Sequence, residues 1–186
     1  MQVILFKFNL LILFGIIISF NGFGQNSVSD SLRVTSADSV VVKDTIVKNP
    51  KQVDEIISYA KKFLGTPYQW AGTTPSGFDC SGFIYYIMGS FGLSLSRTAG
   101  GLAEFGRTVK LSELRPGDLM FFKGRNTSSS QIGHVGMVVE VKSDAIMFIH
   151  SSSSRGVVID NFKTSSYYIP RFIKAKRLDY GEEDKK

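Results

Sequence analysis

The chain has 186 residues, of which 43% are hydrophobic and 20% charged, with a formal net charge of +6 at pH 7. It contains no nucleic-acid-binding motif, internal repeat or low-complexity tract, which argues against a nucleic-acid partner. The positive charge suits contact with an anionic polymer surface, although a generic solvated face would carry the same charge.

The first 24 residues are predicted to be a signal peptide. Lys7 supplies a positive charge ahead of a nearly unbroken apolar run at residues 10–20. That run is shorter than the about 20 apolar residues of a membrane-spanning helix. Small residues follow, so we place cleavage near Gln25, with an uncleaved anchor as the alternative. No cysteine is near enough for a lipoprotein anchor.

The mature chain is predicted to hold one folded domain. Residues 25–50 are neutral, rich in Ser, Val and Asp and without helical period, which indicates a flexible linker. Residues 51–178 are long enough for one domain with its own core. Residues 179–186, DYGEEDKK, form a charged tail that we expect to be frayed.

Two segments at the start of the domain are predicted to be helices. The apolar residues of VDEIISYAKKFLG have the spacing of one helix face, and Gly65 can end that helix. They are Val53, Ile56, Ile57, Ala60, Phe63 and Leu64. DCSGFIYYIMGSFG has helical spacing too, with Asp79 as a good N-cap and Gly89 or Gly92 as an end. Cys80 would therefore lie in the first turn of a buried helix.

The second half of the domain has the period of β-strands. DLMFF, HVGMVVEV, AIMFIHSS, GVVIDNF and RFIKAKRL are short, rich in β-branched or aromatic residues, and separated by turn signals. Residues 142–144, KSD, are typical of a hairpin turn. Helices followed by strands at hairpin spacing predict an α+β domain with a central antiparallel sheet.

Cys80 is the sole cysteine of a chain predicted to be exported. Exported cysteines usually form pairs, so a lone one is a buried apolar residue, an intermolecular bridge or a reactive thiol. A helix N-terminus and a neighbouring imidazole both lower the pKa of a thiol. We therefore expect Cys80, if reactive, to have a lower pKa than free cysteine.

The chain has two histidines, each at the edge of a predicted strand. His134 begins HVGMVVEV and His150 is near the end of AIMFIHSS. If these strands pair through the turn at residues 142–144, the two imidazoles come together. His134 could then face the thiol of Cys80 while His150 orients it, a nucleophile–base–orienter arrangement. Each residue taken alone could equally be structural.

The motifs GTPYQWAG, DCSGF, RPGDLMFF, GHVGMVV and FIHSSSS, in this order, resemble the NlpC/p60 family of papain-like cell-wall peptidases. The resemblance covers residues 53–178 and is nearest to the single-domain murein DD-endopeptidase type. It implies a papain-like fold with the nucleophile at a helix start. It also implies that Cys80 is the nucleophile, His134 the general base, His150 the orienting residue and Tyr68 part of the oxyanion site.

The same resemblance places substrate contacts at Asp79 and Ser81, and a cleft-lining position at Arg97. The residues around Arg97 depart from the family pattern, since Ser96 replaces a proline and a flexible Ala-Gly-Gly follows Thr98. This departure concerns the substrate-side contacts and not the nucleophile. Outside this set, we expect Asp118 to brace a loop, and Trp70 to line the substrate groove or to pack.

The predicted function is an exported cysteine endopeptidase that cleaves the stem peptides of peptidoglycan, in the periplasm or outside the cell at the wall. The bond is either the γ-D-glutamyl bond to the diamino acid or the D,D cross-link. No cofactor, no metal, no nucleic acid and no stable membrane insertion are expected, and the protein is expected to be a monomer. A catalytically weak or inactive wall-binding module is the main alternative. A zinc hydrolase using Cys80, His134 and His150 is disfavoured by the long separations between them.

Overall fold

The computed structural model describes residues 50–180. The predicted signal peptide, nearly all of the linker and most of the charged tail lie outside the described residues. Along the part that is described, no helix combines the length and the apolar character needed to cross a membrane.

The helices precede most of the strands, as the sequence predicts. The helices are α1 Pro50–Lys61, α2 Cys80–Gly89 and the short α3 Ala99–Leu102. The strands are β1 Thr73–Thr74, β2 Gly77–Phe78, β3 Arg107–Val109, β4 Leu119–Lys123, β5 Ile132–Val141, β6 Ile146–Ser152, β7 Gly156–Asn161 and β8 Phe172–Arg177. Single turns of 3₁₀ helix lie at Leu111–Glu113, Phe162–Thr164 and Ile169–Arg171.

Six of these strands form one antiparallel sheet in the order β3-β8-β4-β5-β6-β7, and β1 pairs with β2 in a separate hairpin. The predicted turn joins β5 to β6, with the N–H of Lys142 donating to the carbonyl of Ala145 at 2.8 Å. The predicted α+β fold with a central antiparallel sheet is confirmed.

The sheet is covered on both faces, so the domain has two apolar cores. On one face α1 and α2 pack against Phe121, Val135 and Met137. On the other face Phe122 and Phe148 pack under the loops that follow β7. Adjacent residues of β4 thus point into opposite cores, which explains why LMFF, residues 119–122, is an uninterrupted apolar run instead of an alternating one.

Helix α2 is stabilised by burial more than by intrinsic helix propensity. Its sequence, CSGFIYYIMG, is rich in aromatic and β-branched residues, which are mediocre helix formers. Phe83, Ile84, Ile87 and Met88 are fully buried, and each contributes on the order of 1.5–3 kcal/mol by leaving water. At the N-terminus the Asp79 carboxylate accepts the N–H of Gly82 at 2.7 Å, so the predicted cap is confirmed.

Three features differ from the sequence-based expectation. Helix α1 ends at Lys61, before the predicted stop at Gly65, so Leu64 is 47% exposed instead of buried. The two- and three-residue strands β1, β2 and β3 are too short to show a period. Tyr180, assigned to a frayed tail, is buried, and its hydroxyl donates to the carbonyl of Gly117 at 2.7 Å.

Asp118 braces the turn that enters β4, as expected. Its side chain is 1% exposed and accepts two hydrogen bonds of 2.8 Å from the guanidinium of Arg177 on β8. It also accepts the backbone N–H of Arg115 at 2.8 Å. This buried ion pair ties the turn before β4 to the strand beside it.

Replacing Asp118 by Ala should lower the free energy of unfolding by about 3 kcal/mol or more, because it leaves a largely buried guanidinium without its carboxylate. Glu140→Ala, which removes the exposed ion pair with Lys142, should cost less than about 1 kcal/mol. Denaturant unfolding of both variants measures the difference. Equal losses would show that Asp118 does not brace the fold.

Candidate active site

Cys80 is the first residue of α2, and its thiol lies where β5 begins. The Sγ atom is 4.0 Å from the carbonyl oxygen of Gly133, the residue before His134. Gly82, two residues after the thiol, has no room for a side chain, since a Cβ there would lie 2.0 Å from the carbonyl oxygen of Gly72. Gly82 therefore lets the loop that contains Tyr68 and Gly72 pack closely against the start of α2.

The structure brings the two histidines together, as the predicted hairpin requires. The Nε2 atom of His134 on β5 is 3.1 Å from Nδ1 of His150 on β6. The rings are 5.0 Å apart and nearly perpendicular. Gly136 makes space for this contact, because a Cβ there would lie 3.0 Å from Cβ of His150 and 2.6 Å from the Phe148 ring.

Sequence reasoning missed Asp160, which binds the far side of His150. Its Oδ2 atom is 3.0 Å from Nε2 of His150, and Arg155 holds the same carboxylate in an ion pair. Asp160 is the one charged residue of β7. A single charge in an otherwise uncharged strand is a sequence signal for a functional residue. The sequence does not say which residue the Asp160 carboxylate faces, because that depends on how β6 pairs with β7.

Tyr168 is a second residue that the sequence did not reveal. Its ring stacks on His134 at 5.7 Å between centroids, and its hydroxyl is 3.5 Å from Nδ1 of His150. The side chain is buried between the histidines and the second core. It reaches the site from the loop between β7 and β8, whose path no sequence period predicts.

Tyr68 is held beside Cys80 by backbone pairing with the segment that precedes the helix. Tyr68 and Phe78 form a bridge, and the N–H of Gln69 donates to the carbonyl of Phe78 at 3.1 Å. Burial, together with the nearby Cys80 and Asp79, raises the pKa of the Tyr68 phenol. Its hydroxyl therefore stays protonated at neutral pH and can donate a hydrogen bond into the cleft.

Asp79, Ser81 and Arg97 bind one another at the start of α2. The Arg97 guanidinium makes bonds of 3.0 and 2.6 Å to the two oxygens of Asp79 and one of 3.0 Å to Oγ of Ser81. Burial raises the pKa of Asp79, but Arg97 and the N–H of Gly82 outweigh it and lower the pKa overall. The three residues form a capping cluster, and their contact with substrate stays a prediction.

A cleft of about 1000 Å³ contains Cys80 and His134. Trp70 lines it and is 84% exposed, so its ring is presented to the cleft instead of being packed. Three cationic side chains also line it, namely Lys123, Arg125 and Arg155, against a single carboxylate that Arg155 neutralises. The lining therefore suits an anionic substrate with an apolar or ring-bearing portion.

The reactive groups are neutral at rest. Burial, reinforced by the Asp79 charge, raises the pKa of the Cys80 thiol despite opposing backbone N–H groups such as that of Val135. Desolvation and the neighbouring His150 lower the pKa of His134, and desolvation lowers that of His150 although Asp160 opposes it. The expected low thiol pKa is therefore wrong in direction, because burial outweighs the helix terminus. A neutral imidazole beside a neutral thiol can act as a base.

Across residues 50–180, no three His, Cys, Asp or Glu side chains are grouped so that they could hold a metal ion. The arrangement of Cys80, His134 and His150 thus gives the zinc alternative no support.

Comparison with known proteins agrees with this geometry. The sequence profile of the NlpC/P60 family matches residues 65–177. The chain belongs to the NlpC/P60 family. The matched segment begins just before Tyr68 and ends in β8, so it includes Cys80 and both histidines. The family prediction is confirmed, while the likeness to the murein DD-endopeptidase type stays a prediction.

Two curated relatives come from Bacillus subtilis strain 168. A γ-DL-glutamyl hydrolase is 34% identical over 140 residues, which are 75% of this chain and 33% of that protein. A probable peptidoglycan endopeptidase, LytE, is 39% identical over 127 residues, 68% of this chain and 34% of that protein. The chain therefore spans only a minor part of these relatives.

A solved NlpC/P60 protein from Bacillus cereus ATCC 10987 has the same fold. It superposes with a TM-score of 0.61 at 35% identity, over 68% of this chain and 40% of that one. NlpC/P60 domains have the papain-like α+β fold. The similarity therefore confirms the prediction of a papain-like fold, beyond the α+β class.

The neutral state of Cys80 can be tested by ultraviolet titration of its thiolate, taken as the difference between wild type and Cys80→Ser. Because burial raises the pKa, the midpoint should lie above that of free cysteine. His134→Ala should leave it nearly unchanged, since a neutral imidazole does not stabilise a thiolate. A midpoint below free cysteine that rises in His134→Ala would show a thiolate–imidazolium pair instead.

Proposed function

We propose that this protein is an exported cysteine peptidase that hydrolyses the stem peptides of peptidoglycan at the cell wall. The observation that carries the proposal is one cleft that holds a thiol at a helix start and an imidazole oriented by a second, buried imidazole. Export rests on the predicted signal peptide. Family membership supports the reaction class.

His134 starts the reaction by accepting the thiol proton of Cys80. Its Nε2 atom is engaged with His150, so Nδ1 is the nitrogen that receives the proton. The sulfur then bonds to the scissile carbonyl carbon and the carbonyl oxygen becomes an oxyanion. The backbone N–H of Cys80 and the hydroxyl of Tyr68 donate hydrogen bonds to that oxyanion.

Breakdown of this intermediate breaks the C–N bond, and the His134 imidazolium protonates the leaving amine. The acyl group remains on Cys80 as a thioester. Water then attacks the thioester while His134 takes its proton, and the thiolate leaves and recovers that proton. His134 thus both takes and gives protons, whereas His150 only holds it in place.

We propose the γ-D-glutamyl bond as the one that is cleaved, with the D,D cross-link as the alternative. A γ-linked glutamate leaves a free α-carboxylate beside the scissile bond. Lys123 and Arg125, on the wall of the cleft, suit such an anion. The name of the γ-DL-glutamyl hydrolase relative supports this choice, and that of LytE supports peptidoglycan as the polymer.

A wall-binding module without turnover is the second candidate. The cationic side chains of Lys123 and Arg125 favour it, since they suit an anionic wall polymer whether or not a bond is cleaved. Under this function the protein sediments with insoluble wall material and releases no soluble fragments.

Cys80→Ser should abolish hydrolysis and leave the fold intact, because serine has the shape of cysteine with slightly less bulk, but its hydroxyl does not readily form an anion. His134→Ala should lower kcat by about 10²–10⁴, the range for a general base, and His150→Asn should retain more activity. Fragment release by the purified variants measures the ranking. A larger loss in His150→Asn than in His134→Ala would mean that the two roles are exchanged.

Mass spectrometry of defined muropeptides after incubation with residues 50–180 or the mature chain should identify the bond. We expect products cut between D-Glu and the diamino acid, with cross-linked dimers otherwise intact. Arg125→Ala should raise KM for these substrates by removing a charge that suits the α-carboxylate. Monomers released from dimers, with unchanged stems, would establish the D,D cross-link as the substrate.

A further inference from the structure

We propose that Asp160 is a positioning residue that sets the tautomer of both histidines. Its carboxylate binds Nε2 of His150, whose Nδ1 in turn faces Nε2 of His134. Asp160 would act on Cys80 through two intervening side chains, His150 and His134. The inference rests on the proposed cysteine-peptidase function.

The protons along this chain follow from which groups can donate. The Asp160 carboxylate is an acceptor only, so Nε2 of His150 carries a proton and donates it. A neutral His150 then has a lone pair on Nδ1. His134 must donate to it from Nε2, 3.1 Å away, which leaves Nδ1 of His134 unprotonated. That lone pair is the base that the thiol of Cys80 requires.

The charged and titratable groups around His150 favour this placement of the protons, with one on Nε2 of each histidine. His134 faces it from β5, Asp160 from β7, Arg155 from the turn before β7 and Tyr168 from the loop after β7. The Tyr168 hydroxyl, 3.5 Å from Nδ1, can also donate to the same lone pair. His150 itself is 0% exposed, so solvent cannot replace a lost partner. Bonding to His150 and Arg155 lowers the pKa of Asp160, although burial opposes this, so the carboxylate stays charged.

Arg155 fixes the orientation of the side chain at position 160, so an aspartate and an asparagine there would present different groups to His150. It donates to both oxygens of Asp160 while His150 binds Oδ2. In Asp160→Asn the guanidinium would hold the single amide oxygen, and the NH₂ group would turn toward Nε2 of His150. His150 would then carry its proton on Nδ1, and His134 would accept at Nε2 and present an N–H to Cys80. In a Ser-His-Asp triad the same carboxylate-to-amide change lowers kcat by about 10⁴ through the wrong tautomer.

The experiment compares Asp160→Asn, Asp160→Ala and the control Glu140→Gln, which makes the same acid-to-amide change at the exposed pair with Lys142. Alkylation of Cys80 by iodoacetamide at pH 7 needs no peptide substrate. Hydrolysis of a muropeptide gives kcat and KM separately, and thermal unfolding reports the fold. Asp160→Asn should lower kcat about 10²-fold or more with KM little changed. It should not slow alkylation, because an N–H of His134 that faces the sulfur favours the thiolate, which is the form that is alkylated.

Asp160→Ala should lose no more activity than Asp160→Asn, because without an amide donor His150 can still adopt the required tautomer. Glu140→Gln should match wild type in all three measurements. A kcat near wild type in folded Asp160→Asn, slower alkylation of that variant, or a larger loss of kcat in Asp160→Ala would overturn the proposal. If the Asn variant does not fold, Asp160→Ala takes its place: its kcat should fall with KM little changed, because the carboxylate that sets the tautomer is gone, and a wild-type kcat would overturn the proposal. A wild-type protein whose Cys80 can be alkylated but which releases no muropeptide fragments would contradict the proposed substrate and not the role of Asp160.

Discussion

The contact between the imidazoles of His134 and His150 is the interaction on which the site depends. It exists because β5 and β6 pair as a hairpin that brings both rings to one face of the sheet. A slip of one residue would send one of the rings to the opposite core. Gly136 then removes the side chain that would push His150 away. The strand register therefore determines whether the imidazole of His134, which lines the cleft, meets that of His150.

The site lies at the start of β5, where elements from both sides of the sheet meet. Cys80 arrives with α2, which packs in the first core, while His150 and Tyr168 pack against the second. His150 is fully buried and Cys80 is half-buried, and desolvation keeps the thiol and both imidazoles neutral. These groups therefore form no standing buried ion pair and carry none of its desolvation cost.

Two charged clusters lie next to these neutral groups. Asp79 with Arg97 caps α2, and Asp160 with Arg155 backs His150. In each cluster a carboxylate is paired with a guanidinium, which lets the acid stay ionised although it is partly buried. The first cluster holds the start of α2, which carries Cys80, and the second contacts the buried imidazole of His150.

The sequence by itself determined the helix carrying Cys80, its Asp79 cap, the order of the main strands and the β5–β6 hairpin, because each of these follows from local period, capping or turn chemistry. It also indicated that Cys80, His134 and His150 belong together. Only the tertiary structure decided the partners of those residues. Asp160 and Tyr168 reach His150 through strand pairing and a long loop, and such contacts leave no local pattern. The direction of the Cys80 pKa likewise depends on burial, which outweighs the local effect of the helix terminus.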